Sequence, residues 1–386
     1  MARSALIASL DYWTSPFQLG GHHVARGLAD LGWTVGYVSW PISPLHLLGG
    51  NREALRRRFA IYRAGGVEDA DGRIWAYVPG VVAAPHGSPL LRSAWLHRNW
   101  PRLTLPPIDR QLRRQGLNRV DLLYLDVPIH QRFLSTVQSS KSVFRIADRL
   151  SGFKHLAPAM VELESEVATS VDLVVYTAAT LAPHVAAMAP RRMLHLPNGV
   201  DVDHFTQVGL TVPDDLRTIP RPIAIYVGAL QDWFDWALVD RLTDQMPDVS
   251  FVIVGPDELA RTRLATRSNL HLLGRRPYDE VPRYLAHSDV GLIPFDVARH
   301  AELVNSVHPL KLYEYLAAGL SVVAAEWPEL ASLDSPAILA RSGDEFVAGI
   351  RQALTSPLNR PAARTFVESA TWGQRIGTLL EALDLV

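Results

Sequence analysis

Cysteine is missing from all 386 residues, which removes disulfides, thiol nucleophiles and thiolate metal sites together. Lysine is nearly as scarce. Of the 38 Lys and Arg only three are lysine, at 141, 154 and 311, so each raises the question of why a compact ammonium stands where the chain elsewhere uses arginine. No apolar run reaches the eighteen residues of a membrane span, and the start, MARSALIASLDYW, turns polar too soon for a secretory signal; a cytoplasmic protein is expected. The paired Gly20 and Gly21 lack the spacing of G-x-G-x-x-G and the acid that should follow the second strand, which argues against NAD. No D-x-D pair falls in a suitable loop, so no metal dependence is expected.

What is present is ordinary globular composition, 48% hydrophobic and 20% charged, at a length that fits two domains. The net charge of −1 hides an asymmetry: residues 1–200 carry 22 Lys/Arg against 14 Asp/Glu, and the remainder 16 against 25. The two halves look built for different partners, and no nucleic-acid partner is expected.

Short apolar runs alternate with amphipathic stretches along the whole chain, the pattern of α/β domains. Strands are expected at 5–10, 34–40, 122–127, 142–146, 173–176 and 193–196, with strand-like pieces at 60–64 and 74–78. After a proline-rich stretch, 206–222, a second series follows at 223–227, 250–254, 270–273, 290–294, 320–325 and 337–340. The expected organisation is a domain over 1–205, a linker over 206–222, a second domain over 223–361, and a final helix over 362–386 crossing back to the first. Asp148 falls just past a strand's carboxyl end, where α/β enzymes place reacting groups; a loop carboxylate bonded to nearby N–H groups is the competing reading.

The most informative run is 305–325, NSVHPLKLYEYLAAGLSVVAA. A helix starting near Pro309 and stopping at Gly319 leaves its first N–H groups and its positive dipole end open to an anion. Lys311 in its first turn adds a full charge, and Glu314, one turn on, can accept from a pair of sugar hydroxyls. Together they suggest a socket for a nucleotide diphosphate. The competing reading is a solvated surface pair worth about 0.2–0.5 kcal/mol. A further run, RSAWLHRNWPR at 92–102, interleaves Trp95 and Trp100 with Arg92, Arg98 and Arg102; it fits either an interfacial segment on anionic membrane or a surface helix packed on the domain.

At this point the residues resemble a known family. PNGVDVDHF (197–205), YVGALQDWFDW (226–236), NLHLLGRRPYDEVPRYLAHSDVGLIPF (269–295) and HPLKLYEYLAAGLSVVAA (308–325) resemble the GT-B glycosyltransferases, family 4-like members in particular. SLDYWTSPFQLGGHH (9–23) and VFRIADRLSGF (143–153) resemble a narrower group, the xanthan glucuronosyltransferase type of family 70 and its relatives in teichuronic-acid synthesis. The resemblance implies two doubly wound Rossmann-like domains facing each other across a cleft. It also implies transfer of a sugar from a nucleotide-diphosphate donor, a UDP-sugar favoured, to a hydroxyl of a glycan or lipid-linked acceptor, with no cofactor beyond that co-substrate.

Carried onto this chain, the resemblance makes Lys311 the cation on the diphosphate and Glu314 the ribose carboxylate. Residues 275–277 (Arg275, Arg276, Pro277) would hold the nucleobase, Gly228, Phe234 and Asp235 would line diphosphate and sugar, and His308 and Pro309 would open the socket. Asp148 matches the proposed base, and Asp11, Gly20, Gly21 and His22 face the acceptor. Retaining family 4 enzymes usually carry a second glutamate eight residues before the first; here that position is Ser306, which favours inversion. A retaining transferase, or a non-catalytic nucleotide-sugar sensor or scaffold, is the alternative.

Overall fold

The computed structural model describes every residue except 1–2, 49–51, 70, 87, 89–90, 154–155, 208, 357 and 386. Lys154 therefore lies outside the described residues. The chain forms two units, residues 1–197 with 376–386, and residues 198–375.

The first unit is built on an eight-stranded sheet. Its strands are β1 (Ser4–Ala8), β2 (Thr34–Val38), β3 (Val67–Glu68), β4 (Ile74–Tyr77), β5 (Arg119–Leu125), β6 (Gln138–Ile146), β7 (Leu173–Tyr176) and β8 (Met193–His195). The order is β3-β4-β2-β1-β5-β6-β7-β8, parallel except for the β3 edge. β1 is central, and residues 5–8 are wholly buried, as expected of a strand covered on both faces. The chain winds outward from β1 through β2 and β4, then returns to β5 on the other side, so the ends of β1 and β5 form the switch point where such sheets bind ligands. Ala8 pairs with Leu125 and Leu125 with Phe144, which sets the next residues, Ser9, Asp126 and Arg145, side by side on one face of the sheet.

The second unit has six parallel strands: β9 (Ile223–Val227), β10 (Ser250–Val254), β11 (Leu270–Gly274), β12 (Val290–Ile293), β13 (Ser321–Ala325) and β14 (Ile338–Ala340). Their order is β11-β10-β9-β12-β13-β14, with the switch point between β9 and β12. Two apolar clusters sandwich this sheet, one including Ile225, Leu312 and Trp327, the other Leu242, Phe251 and Phe346.

Two expectations are corrected. Residues 60–64 end a thirteen-residue helix, Arg52–Ala64, because the Arg/Ala/Leu-rich run before them favours a helix that the β-leaning Ile61 and Tyr62 do not break. The single helix expected over 362–386 is two, Arg360–Glu368 and Trp372–Ala382; between them Thr371 Oγ1 accepts from the Gln374 N–H and Gln374 Oε1 from the Thr371 N–H, a reciprocal cap that starts a new helix. Of the two readings of 92–102, Trp100 follows the packed one: it is fully buried, its indole N–H donating to Ile129 O at 2.9 Å. Arg98 from the same segment pairs with Glu166 and Glu162, leaving Trp95, Arg92 and Arg102 exposed. Residues 206–222 hold a short helix, Asp214–Arg217, and fall in the second unit.

Candidate active site

In the second unit the site is built around the helix Leu310–Ala317, which follows Pro309 without any side-chain cap. Its inner face packs Leu312, Tyr313, Tyr315 and Leu316 into the core. Gly291 in β12 has no side chain, and the Tyr315 ring occupies the space; the Tyr315 hydroxyl then accepts from the Val227 N–H at 2.8 Å, at the end of β9. The helix start is held by His308, buried, whose carbonyl accepts from Asn198 Nδ2 at 2.8 Å and whose ring stacks on Tyr313 with Nε2 3.1 Å from its hydroxyl.

On this fixed frame Lys311 and Glu314 are half-buried, and among the described residues neither side chain makes a hydrogen bond or ion pair. Lys311 Nζ lies 5.5 Å from the Tyr226 ring centre. Burial lowers its pKa, with Glu314 opposing, and burial pushes the Glu314 carboxyl up to about 7, with Lys311 opposing. Gly228, just past β9, takes φ +148°, and a Cβ there would stand 2.6 Å from Nζ, so only glycine gives the ammonium its place. Two desolvated charges that make no hydrogen bond or ion pair among the described residues, beside an uncapped helix start, are what an anion-and-hydroxyl ligand would satisfy.

Apart from Arg275, the remaining side chains expected on this side are committed to the protein. Asp235 caps the helix Trp236–Gln245 by accepting from the Leu238 N–H at 2.9 Å. The Phe234 side chain is buried against Tyr226. Arg276 is engaged by Asp215 and by Tyr284, whose hydroxyl it reaches at 2.6 Å, and so fixes the turn that continues through Pro277. Arg275 is looser: its Nε is buried with no hydrogen-bond partner among the described residues, and its nearest carboxylate, Glu258, is 3.7 Å away. Ser306 is buried and donates to Leu303 O at 2.9 Å.

In the first unit Asp148 lies two residues past β6 and is half-buried. Among the described residues its carboxyl has no hydrogen bond or ion-pair partner, and burial raises it to about 6, Arg145 opposing and Asp126 adding. Asp11, in contrast, accepts from Ser15 Oγ at 2.9 Å and the Tyr12 N–H at 3.2 Å; burial still raises it, those bonds and Arg58 opposing. His22 is fully buried, with Nδ1 accepting from the Leu19 N–H at 3.1 Å and Nε2 3.1 Å from Tyr12 O, an arrangement that fixes the Nε2–H tautomer. Burial lowers it to about 4, so it is a neutral structural ring rather than a proton carrier at neutral pH. Gly20 and Gly21 begin the helix Gly20–Asp30 and pack against Arg145, Asp126 and Ser9. Those last three belong to the site and were not singled out from the sequence; the available signal was a charge inside the apolar run VFRIA and another closing LLYLD.

Comparison with known proteins agrees with this geometry. Residues 7–177 match the family model for the N-terminal domain of glucuronosyltransferase GumK, and residues 233–381 a glycosyl transferase-like family model. Together these ranges hold every expected site residue except Gly228. TuaH of Bacillus subtilis, described as a teichuronic acid biosynthesis glycosyltransferase, is 28% identical over 155 residues, which are 38% of this chain and 38% of that protein. Among solved structures, an α,α-trehalose-phosphate synthase (UDP-forming) from Burkholderia vietnamiensis aligns with a TM-score of 0.67 at 14% identity, covering 100% of this chain and 99% of that one. Anabaena HepE in complex with UDP and glucose aligns at 0.65 and 15% identity over 99% and 100%. The two parallel-sheet units and these alignments give the chain the GT-B fold. Its first half is similar to the GumK N-terminal domain, its second half to glycosyl transferase-like proteins, and it spans well under half the length of TuaH.

Proposed function

We propose that the protein transfers a sugar from a nucleotide-diphosphate sugar, a UDP-sugar favoured, to a hydroxyl of a glycan or lipid-linked acceptor, with inversion and without a metal. The observation that carries the donor side is the unpartnered pair Lys311 and Glu314 on the uncapped start of the helix Leu310–Ala317. The N–H groups of that helix start and Lys311 take the charge that develops on the leaving diphosphate, and Glu314 accepts from the ribose hydroxyls. Asp148, unpartnered and raised to about 6, is ionised at neutral pH. It accepts the acceptor's hydroxyl proton as the oxygen attacks the anomeric carbon; the bond from that carbon to the phosphate oxygen breaks and its electron pair leaves with the diphosphate. Ser306 offers no carboxylate to support retention. The likeness to HepE, solved with UDP-glucose, and to the UDP-forming synthases favours uridine, and the likeness to TuaH favours a surface-polysaccharide acceptor.

A thermal-shift screen against UDP-, GDP-, ADP- and dTDP-sugars tests the donor. A ligand at a hundred times its Kd stabilises by about 2.7 kcal/mol, and no response to any of the four contradicts the proposal. Transfer of the same donor to a polyprenyl-linked sugar separates an enzyme from a sensor.

We also propose peripheral contact with anionic membrane around residues 92–102. The support is Trp95, 60% exposed, between exposed Arg92 and Arg102, with Val82 and Leu105 also exposed. No helix among the described residues is long and apolar enough to cross a membrane. Vesicle co-sedimentation should weaken on Trp95→Ala; unchanged binding removes the idea.

A further inference from the structure

The ends of β1, β5 and β6 hold more charge than acceptor activation uses. Arg145, the last residue but one of β6, is buried, and its Nη1 donates to Asp126 Oδ1 at 2.8 Å. Asp126, also buried, stands one residue past β5 and takes a second hydrogen bond from the Ser9 hydroxyl, again 2.8 Å, one residue past β1. The register of the three strands places them in a row. The neighbouring helix is shaped to this row: a Cβ at Gly20 would stand 2.6 Å from the guanidinium, and one at Gly21 2.8 Å from both Asp126 Oδ2 and Ser9 Oγ. Burying an ion pair costs desolvation that its own attraction rarely outweighs, so a fold that keeps one, and gives up two side chains to fit it, keeps it for something besides stability.

Other titratable groups surround the row. Tyr124 on β5 and Tyr37 on β2 both have hydroxyls raised by burial, and His22 and His130 are both held near 4 by burial. Asp11 faces Tyr37, Arg26 faces His22 and Tyr37, and Arg149 adjoins Asp148 in the chain. Among the described residues the charges that bear on the Asp148 carboxyl are Arg145, favouring its ionised form, and Asp126, opposing it. Both histidines stay neutral over the range in which Asp148 titrates, so neither supplies the balance.

We propose that Arg145 and Asp126 form a positioning pair, counterpoised on Asp148, that sets the pH range over which the acceptor hydroxyl is activated. This rests on Asp148 being the base. Neither member of the pair touches the reacting atoms in this scheme; each acts through Asp148.

The test is the pH profile of kcat/KM for transfer by the full-length protein, read as the position of the acid limb and not as its plateau height. Asp126→Asn keeps an oxygen for Arg145 and an amide that can meet the Ser9 hydroxyl, and it removes the negative charge that opposes ionisation of Asp148, so the limb should move down by about one pH unit. Arg145→Gln should move it up by a similar amount; either variant suffices if only one passes a thermal-melt check for folding. Ser9→Ala removes a hydrogen bond but no charge and should leave the limb at its wild-type position. A limb unmoved in Asp126→Asn or Arg145→Gln, or moved equally by Ser9→Ala, overturns the pair's role while Asp148→Asn still abolishes transfer. Full transfer by Asp148→Asn instead overturns the base assignment, and the pair's role with it.

Discussion

The strand ends of the first unit and the helix start of the second satisfy their charges in opposite ways. Around β1, β5 and β6 nearly every polar group has a protein partner: Ser9, Asp126 and Arg145 bond in a row, Asp11 is tied by Ser15, and His22 uses both ring nitrogens. Asp148 differs: among the described residues its carboxyl has no hydrogen-bond or ion-pair partner. At Leu310–Ala317 the protein fixes the frame through Tyr313, Tyr315 and His308 and leaves the two charges, Lys311 and Glu314, unpartnered. The first region is a largely paired network, and the second keeps two charges uncommitted among the described residues, as the proposed donor site requires. A paired network can tune a base without exchanging partners, whereas a socket for a diphosphate must leave its cation uncommitted.

The largest expected effect breaks the comparison at its exception. Asp148→Asn should lower transfer by about 10²–10⁴-fold, the usual worth of a general base, while donor affinity from a direct binding assay stays at wild type. Equal losses in both would return Asp148 to a structural role. Lys311→Ala should follow, at about 10²–10³-fold in turnover, as for removal of one transition-state charge stabiliser. Near wild-type turnover in that variant would mean the socket's cation is not where the leaving group's charge develops.

Smaller effects sharpen the contrast through stability. Gly21→Ala forces a methyl toward Asp126 and Ser9 and should cost about 1–3 kcal/mol in a denaturant melt, as overpacking does; a neutral result would show that the first network yields easily. In the socket the sign reverses. Burial raises Glu314 from 4.5 to about 7, so the ligand-free fold binds that proton more tightly than the unfolded chain does. Its stability is therefore greatest below about 4.5 and declines as pH rises toward 7. Glu314→Gln should be more stable than wild type at pH 8 by about 1 kcal/mol, allowing for partial exposure, with the gain gone near pH 4.5. A destabilised Glu314→Gln at pH 8 would mean the carboxylate already has a partner.

The two regions also differ in how far they could be read in advance. The socket was legible because it is contiguous: Pro309, Lys311, Glu314 and Gly319 mark one helix with its entry and exit, and local rules for helix ends suffice. Asp148 was legible as a carboxylate past an apolar run. The row of Ser9, Asp126 and Arg145 was not, because its members lie far apart in the chain and meet only through the register of three parallel strands. Gly20 and Gly21 were visible, but they read as acceptor-facing rather than as space for a buried ion pair. Phe234, Asp235 and Arg276 stand in motifs of the resemblance, yet their side chains go to the core, to a helix cap and to Asp215, choices fixed by tertiary packing. Trp100 could not be told from an interfacial indole without the carbonyl of Ile129 on the page.

The most direct measurement is a calorimetric titration of UDP and of uridine into wild type and Lys311→Ala. If the helix start and Lys311 hold the diphosphate, UDP affinity falls at least about tenfold in the variant, the worth of one desolvated charge-assisted contact, while uridine binds both proteins alike. Equal UDP affinity for the two proteins would contradict the account.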